Sequence, residues 1–353
     1  MSTYFMGRRP LLGLLGMLAL CGSATLASAA EITGAGATFP YPIYAKWAEA
    51  YKAESGNSLN YQSIGSGGGI KQIKAATVTF GASDKPLEAK DLNDSGLVQW
   101  PMIIGGVVPV ANLAGIKPGE LLLDGPTLAA IYMGEIKTWN DARIKALNPK
   151  ATLPNQAIAP VYRSDGSGTN FLFTNYLSQV SPEFKSKVGA NTSVEWPAGI
   201  GAKGNEGVAA MTNQTAGAIG YVEYAYAKQN HMTYFRMKNA DGKVVAPEAA
   251  AFQAAAANAD WAKAEGYYLI LTNQSGAASW PITGASFIIM YKSPKDPAAS
   301  KAALDFFAWS YSKGTDLATS LDYVPLPASV IKMVQKTWTT SILQDGKPVW
   351  SGK

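Results

Sequence analysis

The chain carries one cysteine, Cys21, and one histidine, His231. A single cysteine excludes an internal disulfide framework. A single histidine, set in a polar stretch outside every motif described below, offers no Ser–His pair for nucleophilic catalysis. No cluster of His, Cys or carboxylates has metal-ligand spacing. Charged residues are sparse at 16%, the formal net charge is only +5, and no basic run is interleaved with aromatics, which argues against a nucleic-acid partner. Beyond the first 30 residues no apolar run approaches the roughly 20 residues that span a bilayer.

Those first residues have a pattern of their own. Arg8 and Arg9 precede an apolar run from Leu11 to Leu20 and then the small residues Ala27, Ser28, Ala29 and Ala30. This is the layout of a secretory signal peptide over 1–30, cut just before Ala30 or Glu31. Its apolar core is short for a membrane anchor. Leu20 occupies the position where a lipidation signal needs a small residue, and Gly7 and Pro10 give a twin-arginine signal little support. Cys21 leaves with the leader, and loss of Arg8 and Arg9 lowers the charge to +3. More than 300 residues remain, 47% of the whole chain being apolar, enough for about two domains.

What is abundant is glycine placed between strand and helix signals. Arg163, Ser164, Asp165, Gly166, Ser167, Gly168, Thr169 and Asn170 stand directly before the helical pattern Phe171 to Leu177. Glycines let backbone N–H groups approach a ligand, and a helix N-terminus favours an anion. The same residues also serve ordinary turns and N-caps, so the segment alone leaves an oxyanion site and a plain helix start both open. The pattern recurs. Ile32 to Phe39 reads as a short strand that runs into a glycine-containing loop, with Thr38 and Phe39 where the strand meets a helix start, and Pro40 or Pro42 opens a helix carrying Tyr44, Trp47, Ala48 and Tyr51. A strand Leu59 to Ile64 precedes Gly65, Ser66, Gly67, Gly68, Gly69 and a helix through Ile70 and Ile73. A strand Val78 to Ala82 ends at Asp84, where ligands gather in open α/β sheets, although Asp84 serves equally as a cap for the next helix or a partner of Lys85.

Two β-rich segments, Trp100 to Val108 and Trp280 to Met290, read as a double crossover that divides the chain into two α/β domains. One domain comprises 31–105 and 284–353, the other 106–283. Between the crossovers, Leu121 to Trp139 reads as mostly helical, Gly217 to Tyr226 as a strand with a helix start, and Ala249 to Ala264 as an Ala-rich helix packed on the surface. Helices through Leu304, Phe306, Phe307 and Trp309 and near Val330 close the chain.

Gly34-Ala35-Gly36-Ala37-Thr38-Phe39-Pro40, Gly65-Ser66-Gly67-Gly68-Gly69, Gly81-Ala82-Ser83-Asp84 and Asp165-Gly166-Ser167-Gly168-Thr169 together resemble the periplasmic phosphate-binding protein of the high-affinity phosphate ABC transporter. The likeness continues through Gly204-Asn205-Glu206-Gly207 and Gly217 to Tyr224, and covers essentially the whole chain after the leader. The resemblance implies a two-lobed, hinge-closing periplasmic-binding-protein fold of type II character, with inorganic phosphate held between the lobes. It implies no cofactor or metal, delivery to inner-membrane permease subunits, a monomer, and a periplasmic location. Carried over position by position, the ligand residues are Thr38, the Phe39 amide, Ser66, Asp84, Arg163, Ser167, the Gly168 amide and Thr169, with Asp165 holding the arginine.

The chemistry fits those assignments. Near pH 7 phosphate keeps a proton that a carboxylate can accept, whereas sulfate offers Asp84 only lone pairs, and an unpartnered buried charge is expensive. Arg163 supplies a planar fork of donors, which Asp165 orients and moderates. Two other readings stay open at this level. One is a secreted phosphatase with Ser66 or Ser167 as nucleophile and Asp84 as base. The other is an adhesion module in which the glycine loops are simply turns.

Overall fold

The computed structural model describes residues 31–257 and 259–352, so the leader expected over 1–30, with Cys21 and the cleavage point, lies outside the described residues. Nine strands carry the argument: β1 (Glu31–Gly36), β2 (Ser58–Ser63), β3 (Phe80–Ser83), β4 (Leu97–Ala111), β5 (Ala159–Arg163), β6 (Ile200–Ala202), β7 (Ala218–Glu223), β8 (Thr233–Tyr234) and β9 (Thr283–Tyr291). Their order is β2-β1-β3-β9-β4-β7-β5-β6, with β8 also paired to β4.

The long strand β4 organises the molecule. Leu97 to Gly106 pair antiparallel with β9, from Tyr291 back to Thr283, with a register shift between Ser286 and Phe287. Val107 to Ala111 then pair antiparallel with β7, from Glu223 back to Ile219. Every residue of β4 is buried, as expected for a strand covered on both faces. On one side, β1 pairs in parallel with β2 and β3; on the other, β5 pairs in parallel with β6 and β7. The two half-sheets and their helices form two lobes joined through β4 and β9.

The helices that place the site are α1 (Tyr41–Ser55), α2 (Ser66–Lys74), α3 (Gly125–Tyr132), α4 (Gly168–Val180), α5 (Gly204–Gln214), α6 (Tyr224–Gln229), α7 (Ala249–Ala256), α8 (Pro297–Ser312) and α9 (Ala328–Ser341). In α1, Pro42 sits in the first turn, where a missing N–H costs nothing; Ile43, Tyr44, Trp47 and Tyr51 form the buried face; and Gly56 ends it at φ 77°. Helices α8 and α9 return to the first half-sheet: Phe307 meets Phe80 with ring centres 5.0 Å apart, and Trp338 meets Trp100 at 5.4 Å. Both chain ends thus build one lobe.

β1 ends at Gly36 and the chain passes through the expected glycine-containing loop to Pro40, the N-cap of α1. Some expectations shift. The stretch expected to be mostly helical from Leu121 to Trp139 holds a two-residue strand, Leu122–Leu123, and α3, which ends before Gly134, a residue at φ 75°. The Ala-rich helix α7 is shorter than expected and is not mere surface packing. Its Phe252 ring packs against Gly106, where a Cβ would come within 2.1 Å of it, and stands 6.3 Å from the Trp280 ring. It braces the crossover from inside. No described helix is long and apolar enough to cross a membrane.

Candidate functional site

Four loops at the strand ends converge. Thr38 and Phe39 come from the β1–α1 turn, Ser66 opens α2, Asp84 follows β3, and Arg163 ends β5 just before the loop that starts α4. Thr38, Asp84 and Arg163 are only 2%, 1% and 3% exposed, and Phe39, Ser66, Ser167 and Thr169 are fully buried. Contacts bring Ser66, Asp84 and Gly168 together, Asn205 ties Thr38 to Thr169, and the Arg163 charge acts on Asp84, so that residues spanning 132 positions of chain gather in one buried region.

Arg163 and Asp165 form a two-toothed ion pair. Nε donates to Asp165 Oδ1 at 2.8 Å and Nη2 to Oδ2 at 2.6 Å, while Nη1 is buried without a hydrogen-bond partner among the described residues. Two of the guanidinium nitrogens thus fix its plane, and the third is left for the cleft. Burial pushes the Asp165 carboxyl upward, yet the Arg163 fork and the Gly204 N–H, 3.1 Å from Oδ1, hold it below the usual carboxylate range.

Asp84 is the opposite case. Neither of its oxygens meets a hydrogen-bond partner among the described residues. Burial raises its pKa from 3.8 to about 7; the Ser286 hydroxyl, Arg163 and Ser66 pull it back without meeting either oxygen in bonding geometry. The alternatives weighed for this residue do not hold. The next helix, Ala89–Asp94, is capped at Glu88, and the Lys85 ammonium turns to Asn191 Oδ1 at 3.1 Å and to the Phe171 ring. Asp84 is thus not at a helix start, because the turn through Pro86 separates it from that helix.

The hydroxyls are arranged with equal economy. Ser66 Oγ accepts from the Asp84 N–H at 3.1 Å and from the Gly168 N–H at 3.0 Å. Ser167 caps α4 by accepting from the Asn170 N–H at 3.0 Å. Thr38 Oγ1 accepts from the Asn205 N–H at 3.1 Å and its Nδ2 at 2.6 Å, and Thr169 Oγ1 accepts from the same Nδ2 at 3.2 Å. One expectation differs in detail. The Gly168 N–H, expected to face a ligand, donates here to Ser66, because a residue without Cβ lets the first turn of α4 touch the opposite wall.

Sequence reasoning attached no role to Asn205 or to Glu223. The Gly204 to Gly207 motif and the end of the Gly217 to Tyr224 segment were the available signals, but neither marks which side chain turns inward. Glu223 is fully buried, and burial raises its carboxyl well above the usual range. Tyr323 Oη lies 2.7 Å from the Phe39 carbonyl and 2.8 Å from Glu223 Oε2. One phenolic proton cannot serve two acceptors, so the chain is complete when Glu223 carries a proton. His231 sits at an exposed turn after α6.

The buried hydroxyls, the unpartnered Arg163 nitrogen and the unpartnered Asp84 carboxylate are groups whose chemistry matches a tetrahedral oxyanion that carries a proton. A family model described as the PBP superfamily domain matches residues 22–313. The chain is 54% identical over 318 residues to the phosphate-binding protein PstS of Xylella fastidiosa strain 9a5c, covering 90% of this chain and 87% of that one. It is 54% identical over 328 residues to the phosphate-binding protein PstS of Pasteurella multocida, covering 93% and 95%. The fold is also that of an ancestral soluble variant of the human phosphate-binding protein, with a TM-score of 0.72 at 21% identity over 92% and 97% of the two chains. With its two-lobed periplasmic-binding-protein fold and this degree of identity along nearly its full length, the chain belongs to the PBP superfamily and, within it, to the family of the phosphate-binding proteins PstS.

Proposed function

We propose that this chain is exported behind a leader removed at residue 30 or 31, binds inorganic phosphate in the periplasm, and delivers it to the inner-membrane permease subunits of an ABC importer. It binds as a monomer and catalyses no reaction. The ligand set is Thr38, the Phe39 amide, Ser66, Asp84, Arg163, Ser167 and Thr169, with Asp165 holding Arg163; the Gly168 amide, which the resemblance also implies, is spent on Ser66. Lobe I comprises 31–105 and 284–353 and lobe II 106–283. The handover of β4 from β9 to β7 between Gly106 and Val107 supports that division.

One observation carries the reading: a buried guanidinium nitrogen and a buried carboxylate, each without a hydrogen-bond partner among the described residues, share a cleft lined by hydroxyl donors. A protonated oxyanion satisfies both, accepting from Arg163 Nη1 and donating to Asp84. Charge-assisted bonds worth about 1.5 to 3 kcal/mol each readily supply the roughly 8 kcal/mol of micromolar binding after ordering costs. The names of the PstS relatives support phosphate as that anion. A phosphatase has less support. Ser66 Oγ takes two backbone N–H bonds that occupy its lone pairs, which a nucleophile needs free.

Equilibrium dialysis with labelled inorganic phosphate at pH 8 tests the proposal. Arsenate should displace the label nearly as well as unlabelled phosphate, and sulfate should not. Sulfate competing equally would overturn the role of Asp84, and steady turnover of a chromogenic phosphate ester would overturn the non-enzymatic reading.

A further inference from the structure

We propose that Asn205 is a positioning residue that turns Thr38 into a one-way donor and takes one lone pair of Thr169, so that the proton carried by the ligand is directed to Asp84. The inference rests on the phosphate reading above. A threonine hydroxyl has one proton and two lone pairs. On Thr38 both lone pairs are taken by Asn205, through its backbone N–H at 3.1 Å and Nδ2 at 2.6 Å, so the O–H proton must point elsewhere. Thr169 Oγ1 receives the same Nδ2 at 3.2 Å.

The amide cannot be turned round. Asn205 Oδ1 accepts the backbone N–H of Glu223 at 2.9 Å, and since a backbone N–H only donates, the oxygen belongs on that side and the nitrogen on the side of the threonines. One fully buried side chain, anchored to β7, thereby sets the hydroxyl of Thr38 from lobe I and takes one lone pair of Thr169 in the first turn of α4 in lobe II. Backbone amides do the same for Ser66, whose two lone pairs receive Asp84 and Gly168. A hydroxyl with filled lone pairs donates to a bare ligand oxygen and refuses a protonated one. The ligand therefore settles with its P–O–H group toward Asp84 and its bare oxygens toward Thr38 and Ser66. Because Thr38 and Asn205 lie on opposite lobes, this sorting is completed as the lobes meet.

The test is isothermal titration of inorganic phosphate into full-length mature protein at pH 8. Asn205→Asp keeps the shape and can still accept from Glu223, but its second oxygen draws the threonine protons away from the ligand. We expect Kd to rise at least about tenfold, equivalent to about 1.4 kcal/mol. In a Thr38→Val background, which removes one of the oriented hydroxyls, the same substitution should cost at least about threefold less than in wild type. An Asn205→Asp protein within about threefold of wild type overturns the inference. So does a loss that is the same in both backgrounds, since simple repulsion by the new charge would persist without Thr38. Should Asn205→Asp not fold, Asn205→Ala in the same two backgrounds decides by the same criterion. Wild-type protein that takes up no phosphate would instead overturn the functional reading on which the inference stands.

Discussion

Asp84 carries two opposing demands. It must accept a proton from a ligand, yet burial makes its own ionised form costly and lifts its pKa to about 7. Below that value the carboxyl is neutral and can donate to an anion with no proton of its own; above it, the charge repels such an anion. Sulfate rejection should therefore be strong at pH 8.5 and fade at pH 5.5. Competition dialysis at the two pH values checks the sign. Asp84→Asn, which always donates, should bring phosphate and sulfate together at both. A sulfate-to-phosphate ratio of dissociation constants that is flat with pH in the wild type would count against this role. The residue types at Thr38, Ser66, Asp84 and Arg163 were readable in the sequence from their positions after strands. The raised pKa was not, because it depends on how completely the second wall covers Asp84.

At the scale of elements, the start of α4 is where sequence pattern and packing coincide. Ser167 followed by Gly168 and Thr169 announces an N-cap, and α4 begins there. Why position 168 is glycine becomes visible only across the cleft: a Cβ there would lie 2.5 Å from both Asp84 Cβ and Ser66 Oγ. The facing junction has the same character. Gly65 precedes α2 at φ 86°, its own Cβ would come within 2.4 Å of Asp165 Oδ2, and the Gly67 N–H donates to the Gly166 carbonyl at 2.8 Å. Gly168→Ala should weaken phosphate binding by roughly 10- to 100-fold, since the added methyl keeps the walls apart. Titration calorimetry measures this, and an affinity within about threefold of wild type would show that the walls can part without cost. The helix could be read from capping and periodicity, but α7 shows the limit of such reading. An alanine-rich pattern looks like a surface helix, whereas its single Phe252 is a wedge behind the crossover at Gly106.

In the whole molecule, the two lobes meet through bonds around the site as well as through the Thr38–Asn205 and Ser66–Gly168 bonds within it. The Tyr226 hydroxyl donates to the Thr38 carbonyl at 2.7 Å, and Lys228 pairs with Asp322 at 2.6 Å. Tyr226 also reaches Glu206 Oε1 at 3.0 Å, which links α6 to α5. These contacts describe a closed form, and opening must break them before ligand can leave. Tyr226→Phe removes one cross-cleft bond worth about 0.5 to 1.5 kcal/mol, so phosphate should dissociate about 2- to 10-fold faster with little change in its association rate. Stopped-flow tryptophan fluorescence reads both rates, and an unchanged dissociation rate would remove Tyr226 from the closure.

The sequence by itself determined the α/β class, the strand-to-helix junctions that end in Thr38, Ser66 and Ser167, and the Arg163–Asp165 couple. It could do so because capping, glycine placement and helical periodicity are local properties of a few adjacent residues. Only the tertiary structure decided which groups face one another. Asn205 on Thr38 and Thr169, Glu223 on Tyr323, and Gly168 against Asp84 join residues up to 167 positions apart, and none has a local pattern that reveals its partner. The strength of the site lies in that second set. Donor direction, carboxyl pKa and closeness of the walls all follow from burial between two lobes, which no single stretch of chain encodes.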